Sequence, residues 1–297
     1  MERINGQTEL VALFADPAKH SISPLMHNLA YQLLDLPLVY LCFEVNKHNL
    51  AEAMKSVRQL QFRGLNLSMP NKEAVLPYLD ELSPEARLIG AANTVRNQNG
   101  RLIGYNTDGK GTCLSLAAEG FDITGKTVTL MGTGGAGRAM AIQLALDGVE
   151  KVSLFNRRYL PNGQENPRFQ ETLDLAALIN AQTPAQAQVG DLSDSKALSQ
   201  AIQESHLLLN GTKVGMDNLE KESPVKDPRA FHPNLFVFDA IYHPRETLLL
   251  RQAKQAGVAK TINGLGMLLY QGAEAFRIHT GKDMPIKQVK EAVFGQN

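Results

Sequence analysis

The sequence predicts an α/β protein with two domains, on three observations. The chain has 297 residues, which is more than one domain usually contains. From Glu9 onward, β-branched and apolar runs alternate with helical segments, as in sheets with mainly parallel strands. A glycine-rich segment then follows a buried strand at Gly132, which indicates a dinucleotide-binding domain.

Composition and charge are those expected of an ordinary soluble globular protein. Hydrophobic residues make up 43% of the chain, and 30 Lys and Arg balance 30 Asp and Glu. This balance gives no reason to expect a nucleic acid or a membrane surface as partner. Cys42 and Cys113 show neither metal-ligand spacing nor a disulfide framework, so we expect no metal and a cytoplasmic location. Met1–Gly6 lacks a signal-peptide pattern, and no apolar run is long enough to span a bilayer.

The first part of the chain predicts a βαβαβ unit with a parallel sheet. Ser23 and Pro24 favour a helix start, with Ser23 as the N-cap and Pro24 in the first turn. Asn99-Gly100 predicts a hairpin, and Asp108 can cap the helix that follows it. The predicted elements are strands over 9–15, 38–45 and 64–67, helices over 25–34, 50–60 and 84–91, hairpin strands over 93–97 and 102–106, and a helix over 110–119.

The segment after the third strand carries a candidate catalytic lysine. Pro70 disfavours a helical conformation at Met69 and keeps the chain extended there. Lys72 then lies just past the carboxyl end of a strand, where ligands bind in open α/β sheets. Taken alone, a lysine in this position is most often solvated, and Asp108 is most often an N-cap.

The glycine-rich segment has the strand–turn–helix context of a dinucleotide site, with a strand over 127–131 and a helix over 136–146. Gly132 allows the tight turn, Gly134 lets a pyrophosphate approach the backbone, and Gly137 lets the helix lie close to the sheet. The N–H groups at the helix start are expected to hold phosphates. The expected phosphate-binding residues are Gly132, Gly134, Gly135, Ala136 and Gly137. A glycine-rich turn that binds nothing is the alternative.

The end of the next strand, over 151–155, indicates which dinucleotide is bound. An NAD site usually has Asp or Glu here to hold the ribose 2′-hydroxyl. This chain instead has Asn156, Arg157 and Arg158. Because a guanidinium suits a 2′-phosphate, these residues favour NADP, with Arg157 the preferred ligand because it directly follows the strand. The alternative is that one or both arginines are simply solvated.

The second domain is predicted to continue this alternation up to a long C-terminal helix. A polar loop precedes its next helix. The remaining predicted elements are helices over 171–180, 195–205 and 247–256, strands over 188–189, 207–210 and 235–239, and a segment over 261–264 that leads into the helix through Phe276.

Several motifs together resemble the shikimate dehydrogenase family, in the family's order and over nearly the whole chain. The segments 68–72, 154–158 and 210–216 look like the quinate/shikimate branch, which accepts either NAD or NADP. The motifs are Ser21-Ile22-Ser23-Pro24, Asn66-x-Ser68-x-Pro70-x-Lys72, Ala92-Asn93-Thr94, Gly104-Tyr105-Asn106-Thr107-Asp108-Gly109, the glycine loop, Asn156-Arg157 and Gly264-x-Gly266-Met267-Leu268-Leu269-Tyr270-Gln271-Gly272.

The resemblance implies a substrate domain of residues 1–107, completed by C-terminal helices within 265–297, and a Rossmann domain over 108–264, with a cleft between them. It implies reversible NADP- or NAD-dependent reduction of 3-dehydroshikimate to shikimate in aromatic amino acid biosynthesis through chorismate, with quinate as a second candidate substrate. The protein would be a monomer or homodimer.

The resemblance also implies the roles of individual residues. Lys72 and Asp108 would be the catalytic pair, and either can supply the proton that an alkoxide needs after hydride transfer to a ketone. Tyr242 and Gly264 would lie near the nicotinamide. The implied substrate ligands are Ser21, Ser23, Asn66, Ser68, Asn93, Tyr242 and Gln271, and the implied cofactor ligands beyond the glycine loop are Asn156, Arg157, Arg158, Thr212 and Gly264.

Two departures from the family pattern and two other protein classes bear on this interpretation. Ser68 stands where the family usually has Thr, which keeps the hydroxyl. Tyr159 replaces an Asp that often serves NAD in the quinate/shikimate branch, which weighs against a preference for NAD. A methyltransferase would need an acid near Arg157, and an idle dinucleotide-binding regulator would not need Lys72 and Asp108.

Overall fold

A computed structural model describes residues 4–295, which form two compact units. The first unit contains the described residues up to Gly111 and those from Leu269 onward, and the second is Thr112–Leu268. Residues 1–3 and 296–297, which the predicted substrate domain included, lie outside the described residues. The predicted class, two α/β domains of which one is a doubly wound Rossmann domain, is confirmed.

Strands and helices alternate along most of the chain. The strands are β1 (Glu9–Ala15), β2 (Leu38–Glu44), β3 (Gly64–Leu67), β4 (Glu81–Leu82), β5 (Thr94–Gln98), β6 (Arg101–Tyr105), β7 (Thr127–Met131), β8 (Lys151–Asn156), β9 (Gln186–Asp191), β10 (Leu207–Asn210), β11 (Phe236–Asp239) and β12 (Lys260–Ile262). The helices are α1 (Ser23–Leu33), α2 (Leu50–Gln59), α3 (Asn71–Ala74), α4 (Pro84–Ile89), α5 (Asp108–Ala118), α6 (Gly135–Leu146), α7 (Pro167–Gln182), α8 (Ser195–Gln203), α9 (Leu248–Gln255), α10 (Leu265–Thr280) and α11 (Ile286–Phe294).

The first unit is built on a mixed six-stranded sheet in the order β2-β1-β3-β5-β6-β4. β1 is parallel to β2 and β3, whereas β5 is antiparallel to β3 and β6. The predicted parallel βαβαβ unit is therefore confirmed for β1–β3, and the predicted hairpin is confirmed by the antiparallel pairing of β5 with β6. The hairpin reverses the chain at Asn99 and Gly100, which both have positive φ as this tight turn requires.

Helices cover both faces of this sheet. Side chains alternate between the two faces along each strand, so each face presents its own apolar residues to the helices. On one face, Tyr31 of α1 packs with Tyr40 of β2 and Phe276 of α10. On the other face, Met54 of α2 packs in a second apolar cluster with Leu65 of β3. The sheet therefore lies between two apolar cores.

The second unit is built on a fully parallel sheet in the order β12-β11-β10-β7-β8-β9. The strands leave β7 in one direction through β8 and β9 and in the other through β10 to β12. This is the doubly wound order of dinucleotide-binding domains, which bind ligands outside the carboxyl ends of the strands where the order reverses. The reversal here lies between β7 and β10. None of the helices in the described part of the chain is long and apolar enough to cross a membrane.

Three local predictions were wrong. Ser23 is not the N-cap of α1: Ile22 holds that position without a side-chain cap, and the Ser23 N–H donates to Ser21 Oγ at 3.2 Å. The chain before Lys72 is not extended throughout, since Asn71 starts the short helix α3. The helix predicted over 110–119 begins two residues earlier, so Asp108 is the first residue of α5 and not a cap before it.

Candidate functional site

The first unit brings Lys72 and Asp108 into direct contact. Lys72 lies on α3, just past the carboxyl end of β3, and Asp108 is the first residue of α5. Lys72 Nζ lies 2.6 Å from Asp108 Oδ2, a charge-assisted hydrogen bond. The side chain of Lys72 is 28% exposed and that of Asp108 only 8%. The lysine can therefore meet a ligand while the carboxylate stays inside the protein.

Asn93 holds the second oxygen of the same carboxylate. Its Nδ2 donates to Asp108 Oδ1 at 2.8 Å and to Thr107 Oγ1 at 3.0 Å. Its Oδ1 accepts from the Thr107 N–H at 2.9 Å and from Thr94 Oγ1 at 3.0 Å. Donors on one side and acceptors on the other leave one orientation for the amide. Both oxygens of Asp108 are therefore fixed by named partners.

Asn66 and Tyr40 extend this buried network. Asn66 Nδ2 donates to the Asn93 carbonyl at 3.1 Å and to Thr94 Oγ1 at 2.9 Å. Tyr40 Oη donates to Asn66 Oδ1 at 3.1 Å, and its ring stacks on His27 with centroids 4.4 Å apart. Burial raises the pKa of Tyr40 well above its ordinary value, so the phenol remains a donor.

Sequence reasoning did not single out Tyr40, Thr94 or Thr107 as site residues. Thr94 and Thr107 stand beside Asn93 and Asp108 in the motifs, and that adjacency is the signal that points to them. Tyr40 carries no such signal, because it lies on an edge strand and reaches Asn66 only through the tertiary fold.

The other implied substrate residues of the first unit lie at the start of α1, just past β3 and within α10. Ser21 and Ser23 sit at the start of α1. Ser68 follows β3, and its hydroxyl has no hydrogen-bond partner within residues 4–295. Gln271 lies on α10 against Gly111 of α5: a Cβ on Gly111 would come within 2.6 Å of the Gln271 backbone nitrogen. Glycine there lets α10 approach the helix that begins at Asp108.

In the second unit, the glycines of the loop between β7 and α6 stand where a side chain would clash or where the backbone is open. Gly132 has φ +83°, and a Cβ there would lie 2.6 Å from Thr212 Cγ2. A Cβ on Gly137 would overlap the carbonyl oxygen of Gly132. A Cβ on Gly134 would meet no heavy atom within 4 Å, so that face of the backbone is open. Gly135 and Ala136 open α6, whose N-cap makes no side-chain bond.

The three residues at the end of β8 differ in their environments. Asn156 Nδ2 donates to Thr133 Oγ1 at 3.0 Å, so Asn156 ties the strand end to the glycine loop. The Arg158 guanidinium lies 5.7 and 5.8 Å from the ring centroids of Tyr159 and Phe169, a cation–π arrangement. The Arg157 guanidinium has neither a hydrogen bond nor an ion pair with any described residue. Arg157 is therefore the arginine available to a ligand.

The remaining predicted residues of the second unit lie in the loops after β10 and β11 and before α10. Thr212 Oγ1 donates to Asn210 Oδ1 at 2.7 Å. Tyr242 is 50% exposed. A Cβ on Gly264 would overlap the carbonyl oxygen of Ala240, so glycine lets these two segments cross. Across the described residues, no group of three His, Cys, Asp or Glu side chains is placed to hold a metal ion.

Comparison with known proteins identifies the family. The family model described as "Shikimate dehydrogenase substrate binding domain" matches residues 13–95, and "Shikimate 5'-dehydrogenase C-terminal domain" matches residues 264–294. A "Shikimate dehydrogenase (NADP(+))" from Streptococcus uberis is 48% identical over 295 residues, covering 99% of this chain and 98% of that protein. One from Streptococcus pyogenes is 50% identical over 291 residues, covering 97% of both.

Solved structures agree with these matches. Shikimate 5-dehydrogenase from Listeria monocytogenes, in complex with shikimate and NAD, has a TM-score of 0.94 at 44% identity and covers 99% of both chains. Quinate dehydrogenase from Corynebacterium glutamicum, in complex with NAD, has a TM-score of 0.82 at 26% identity, covering 97% of this chain and 99% of that one. This chain belongs to the shikimate dehydrogenase family.

Proposed function

We propose that this chain is an NADP-dependent dehydrogenase that reversibly reduces 3-dehydroshikimate to shikimate, in aromatic amino acid biosynthesis through chorismate. The observation that carries the proposal is the contact between Lys72 Nζ and Asp108 Oδ2 at 2.6 Å, with the other carboxylate oxygen held by Asn93. Relatives at 48% and 50% identity, named shikimate dehydrogenase (NADP(+)), support the substrate and the cofactor.

The first unit is assigned to the substrate. A compound with several hydroxyls and a carboxylate needs hydroxyl and amide partners, and we assign these roles to residues around the catalytic pair. Both protons of the Asn66 amide are used within the protein, so Asn66 would offer a substrate hydroxyl its oxygen. The amide of Asn93 is fully engaged, so its main role would be to orient Asp108. The assigned residues are Ser21, Ser23, Asn66, Ser68, Asn93, Gln271 and Tyr242.

Lys72 and Asp108 would handle the proton of the reaction. A bound dinucleotide would supply the redox chemistry: its reduced form would donate a hydride to the carbon that carries the reacting oxygen, and its oxidised form would accept one in the reverse direction. In the direction of reduction, the substrate oxygen becomes an alkoxide and takes a proton from the pair. In the direction of oxidation, the pair removes the hydroxyl proton. One ammonium proton of Lys72 is directed to Asp108 by their hydrogen bond, which leaves the others for the substrate.

The second unit is assigned to the dinucleotide, and its residues fit that group. The open face at Gly134 and the uncapped start of α6 suit a pyrophosphate. The unengaged Arg157 suits a 2′-phosphate, with Arg158 beside it. Thr212, Tyr242 and Gly264 would lie near the nicotinamide. NAD is retained as an alternative cofactor, since the Listeria relative is described with it.

The cellular setting is also part of the proposal. Cys42 and Cys113 are free thiols, in keeping with the reducing cytoplasm that we propose. The enzyme would act on small molecules as a monomer or homodimer.

Absorbance of the reduced cofactor tests the function directly. Shikimate and quinate are each added with NADP and with NAD, which gives four initial rates. We expect the highest rate with shikimate and NADP. A measurable rate with quinate would support membership of the quinate/shikimate branch, as the likeness to a quinate dehydrogenase suggests. No reduction in any of the four reactions would favour an idle dinucleotide-binding regulator.

A further inference from the structure

The second unit contains a buried carboxylate that the proposed chemistry does not use. Asp239 is the last residue of β11, and none of its surface is exposed. Its Oδ1 accepts from Asn210 Nδ2 and from the Ile241 N–H, both at 3.0 Å, and its Oδ2 accepts from Thr247 Oγ1 at 2.7 Å. Burial raises the pKa of Asp239 to about 6, and the three groups that contact its carboxylate all donate to it.

Asn210 donates to this carboxylate, and the other hydrogen-bonding groups of its side chain also have partners. It ends the neighbouring strand β10 and is also completely buried. Its Oδ1 accepts from the Thr212 N–H at 3.0 Å and from Thr212 Oγ1 at 2.7 Å. Its second amide proton goes to the Val214 carbonyl at 3.2 Å. Because the Thr212 N–H can only donate and the Val214 carbonyl can only accept, the Asn210 amide has a single orientation, and that orientation shapes the loop over 211–216.

The pair thereby links two loops at the carboxyl edge of the sheet. Asn210 shapes the loop over 211–216, and Asp239 shapes the loop over 240–247 through Ile241 and Thr247. The loops also touch directly, since a Cβ on Gly215 would lie 3.2 Å from Thr247 Cβ. The first loop contains Thr212, which packs against Gly132 of the phosphate-binding turn. Tyr242 lies in the second loop.

We propose that Asp239 and Asn210 form a positioning pair that holds these two loops in the conformation that binds NADP. The inference rests on the proposed function, which assigns the loops to the cofactor. Without the pair, the loops occupy their binding conformation for a smaller fraction of the time, and the apparent dissociation constant rises by the inverse of that fraction. Neither residue needs to touch the cofactor for this effect.

A double-mutant cycle in cofactor affinity tests the pair. The dissociation constant of NADPH is measured by calorimetry for the full-length wild type, Asp239→Ala, Asn210→Ala and the double variant. We expect each single substitution to raise it about tenfold or more, and the double variant to be no weaker than the weaker single variant, because both remove the same link. Independent, additive effects would overturn the proposal, as would unchanged affinity in either single variant.

A conservative variant separates position from charge. In Asp239→Asn, the amide oxygen still accepts from Asn210 and Ile241, and its nitrogen can donate to Thr247 Oγ1. We expect this variant to retain most of the NADPH affinity. If it bound as weakly as Asp239→Ala, the negative charge and not the placement of the loops would be responsible. Should Asp239→Ala fail to fold, Asp239→Asn and Asn210→Ala supply the comparison.

A matched control removes a buried bond elsewhere in the same sheet. Thr129 Oγ1 lies 2.8 Å from Ser205 Oγ, and both residues are buried away from the two loops. Thr129→Val should lower the melting temperature and leave the NADPH affinity unchanged. The test is also independent of turnover. A wild type that binds NADPH but does not oxidise shikimate would refute the proposed function alone, and a wild type that does not bind NADPH would refute both.

Discussion

At the scale of single residues, Lys72 differs from an ordinary surface lysine in the carboxylate that it faces. Lys55 also lies 2.6 Å from a carboxylate, that of Glu52, but both of those side chains are more than half exposed. Exposed pairs of that kind contribute little to stability and have no fixed geometry. Asp108 is instead enclosed and held by Asn93, so the Lys72 ammonium has a defined position.

Lys72→Ala should lower kcat by about 10²–10⁴-fold, the usual scale for loss of a general acid–base group. The dissociation constant of NADP should barely change, because the proposed nucleotide ligands lie in the second unit. Steady-state rates with shikimate, together with calorimetry, give both quantities. Lys55→Ala is the matched control and should leave both unchanged. A variant that kept its turnover at saturating cofactor but lost NADP binding would move Lys72 to the nucleotide site.

Arg157→Ala should raise KM for NADP much more than KM for NAD. The expected loss is about 1.5–3 kcal/mol, the scale of a hydrogen bond to a charged group. The physical reason is that only NADP carries the 2′-phosphate that a free guanidinium would hold. Arg158→Ala should have a smaller effect, because that guanidinium already lies over two aromatic rings. Equal changes for the two cofactors would contradict the assignment.

At the scale of elements, prediction succeeded where local chemistry marks the ends of a segment. The strands β1, β3, β7 and β10 have the predicted bounds, and the hairpin turns at Asn99-Gly100 as expected. Prediction failed where distant partners decide. α3 begins at Asn71, whose buried Nδ2 donates to the Val45 carbonyl at 2.7 Å, and nothing in the local sequence announces that contact.

The residues of the candidate site likewise divide into those that local sequence marks and those that only the tertiary fold brings together. Motifs and the family resemblance pointed to Lys72, Asp108 and Asn93, because such residues stand at strand and helix ends that the sequence marks. Tyr40, Thr94 and Thr107 were not predicted, since the role of a hydroxyl depends on the partner that the tertiary fold places beside it. Hydrogen bonds between residues distant in sequence cannot be derived from periodicity or spacing.

Two glycines of the turn between β7 and α6 should respond differently to the same added methyl group. In Gly137→Ala, the Cβ overlaps the Gly132 carbonyl oxygen, so we expect a loss of stability of about 1–3 kcal/mol, as for other overpacked sites. In Gly134→Ala, the Cβ meets nothing within 4 Å, and φ is −66°. That variant should melt like the wild type and yet bind NADP about tenfold or more weakly, because the methyl group occupies the approach of the pyrophosphate.

Thermal melts and NADP titrations of the two variants decide between the roles of these glycines. A Gly134→Ala protein with normal affinity would show that the open face is not used by the cofactor. A fully stable Gly137→Ala protein would mean that α6 can move away from the turn at little cost.

At the scale of the whole molecule, two buried histidines should make stability depend on pH. Burial lowers the pKa of His27 from 6.5 to about 3 and that of His279 from 6.5 to about 4. Below pH 6.5 the unfolded chain therefore binds protons that the folded chain does not. Stability should fall as the pH drops from 6.5 toward 4, by up to about 1.4 kcal/mol per pH unit for each histidine.

Urea denaturation at a series of pH values measures the slope of the free energy of unfolding against pH. His27→Phe keeps an aromatic ring against Tyr40 and removes one titrating group, so its slope should be shallower by the share of one histidine. His48→Gln, at an exposed position, is the control and should keep the slope of the wild type. An unchanged slope in His27→Phe would mean that His27 does not resist protonation in the folded protein.

Asp239 makes the free energy of unfolding depend on pH in the opposite direction. Burial raises the pKa of its carboxyl from 3.8 to about 6, so the folded protein holds that proton more tightly than the unfolded chain does. Its contribution to stability is complete below pH 3.8 and is lost as the pH rises through 6. Because Asp239 is the same in the wild type and in His27→Phe, the difference between their slopes isolates the histidine.

The split composition of the first unit has a consequence for how the protein is made. Its core joins Met26 and Tyr31, which leave the ribosome early, to Phe276 and Val289, which leave it after the whole of Thr112–Leu268. The second unit, whose segment is continuous, can fold while the chain is still growing. The first unit cannot complete its core until α10 and α11 have been synthesised, so α1 and one face of its sheet stay uncovered until then. The first unit is therefore the first to be started and the last to complete its folding. We expect chaperones to bind nascent chains that are halted before Leu269.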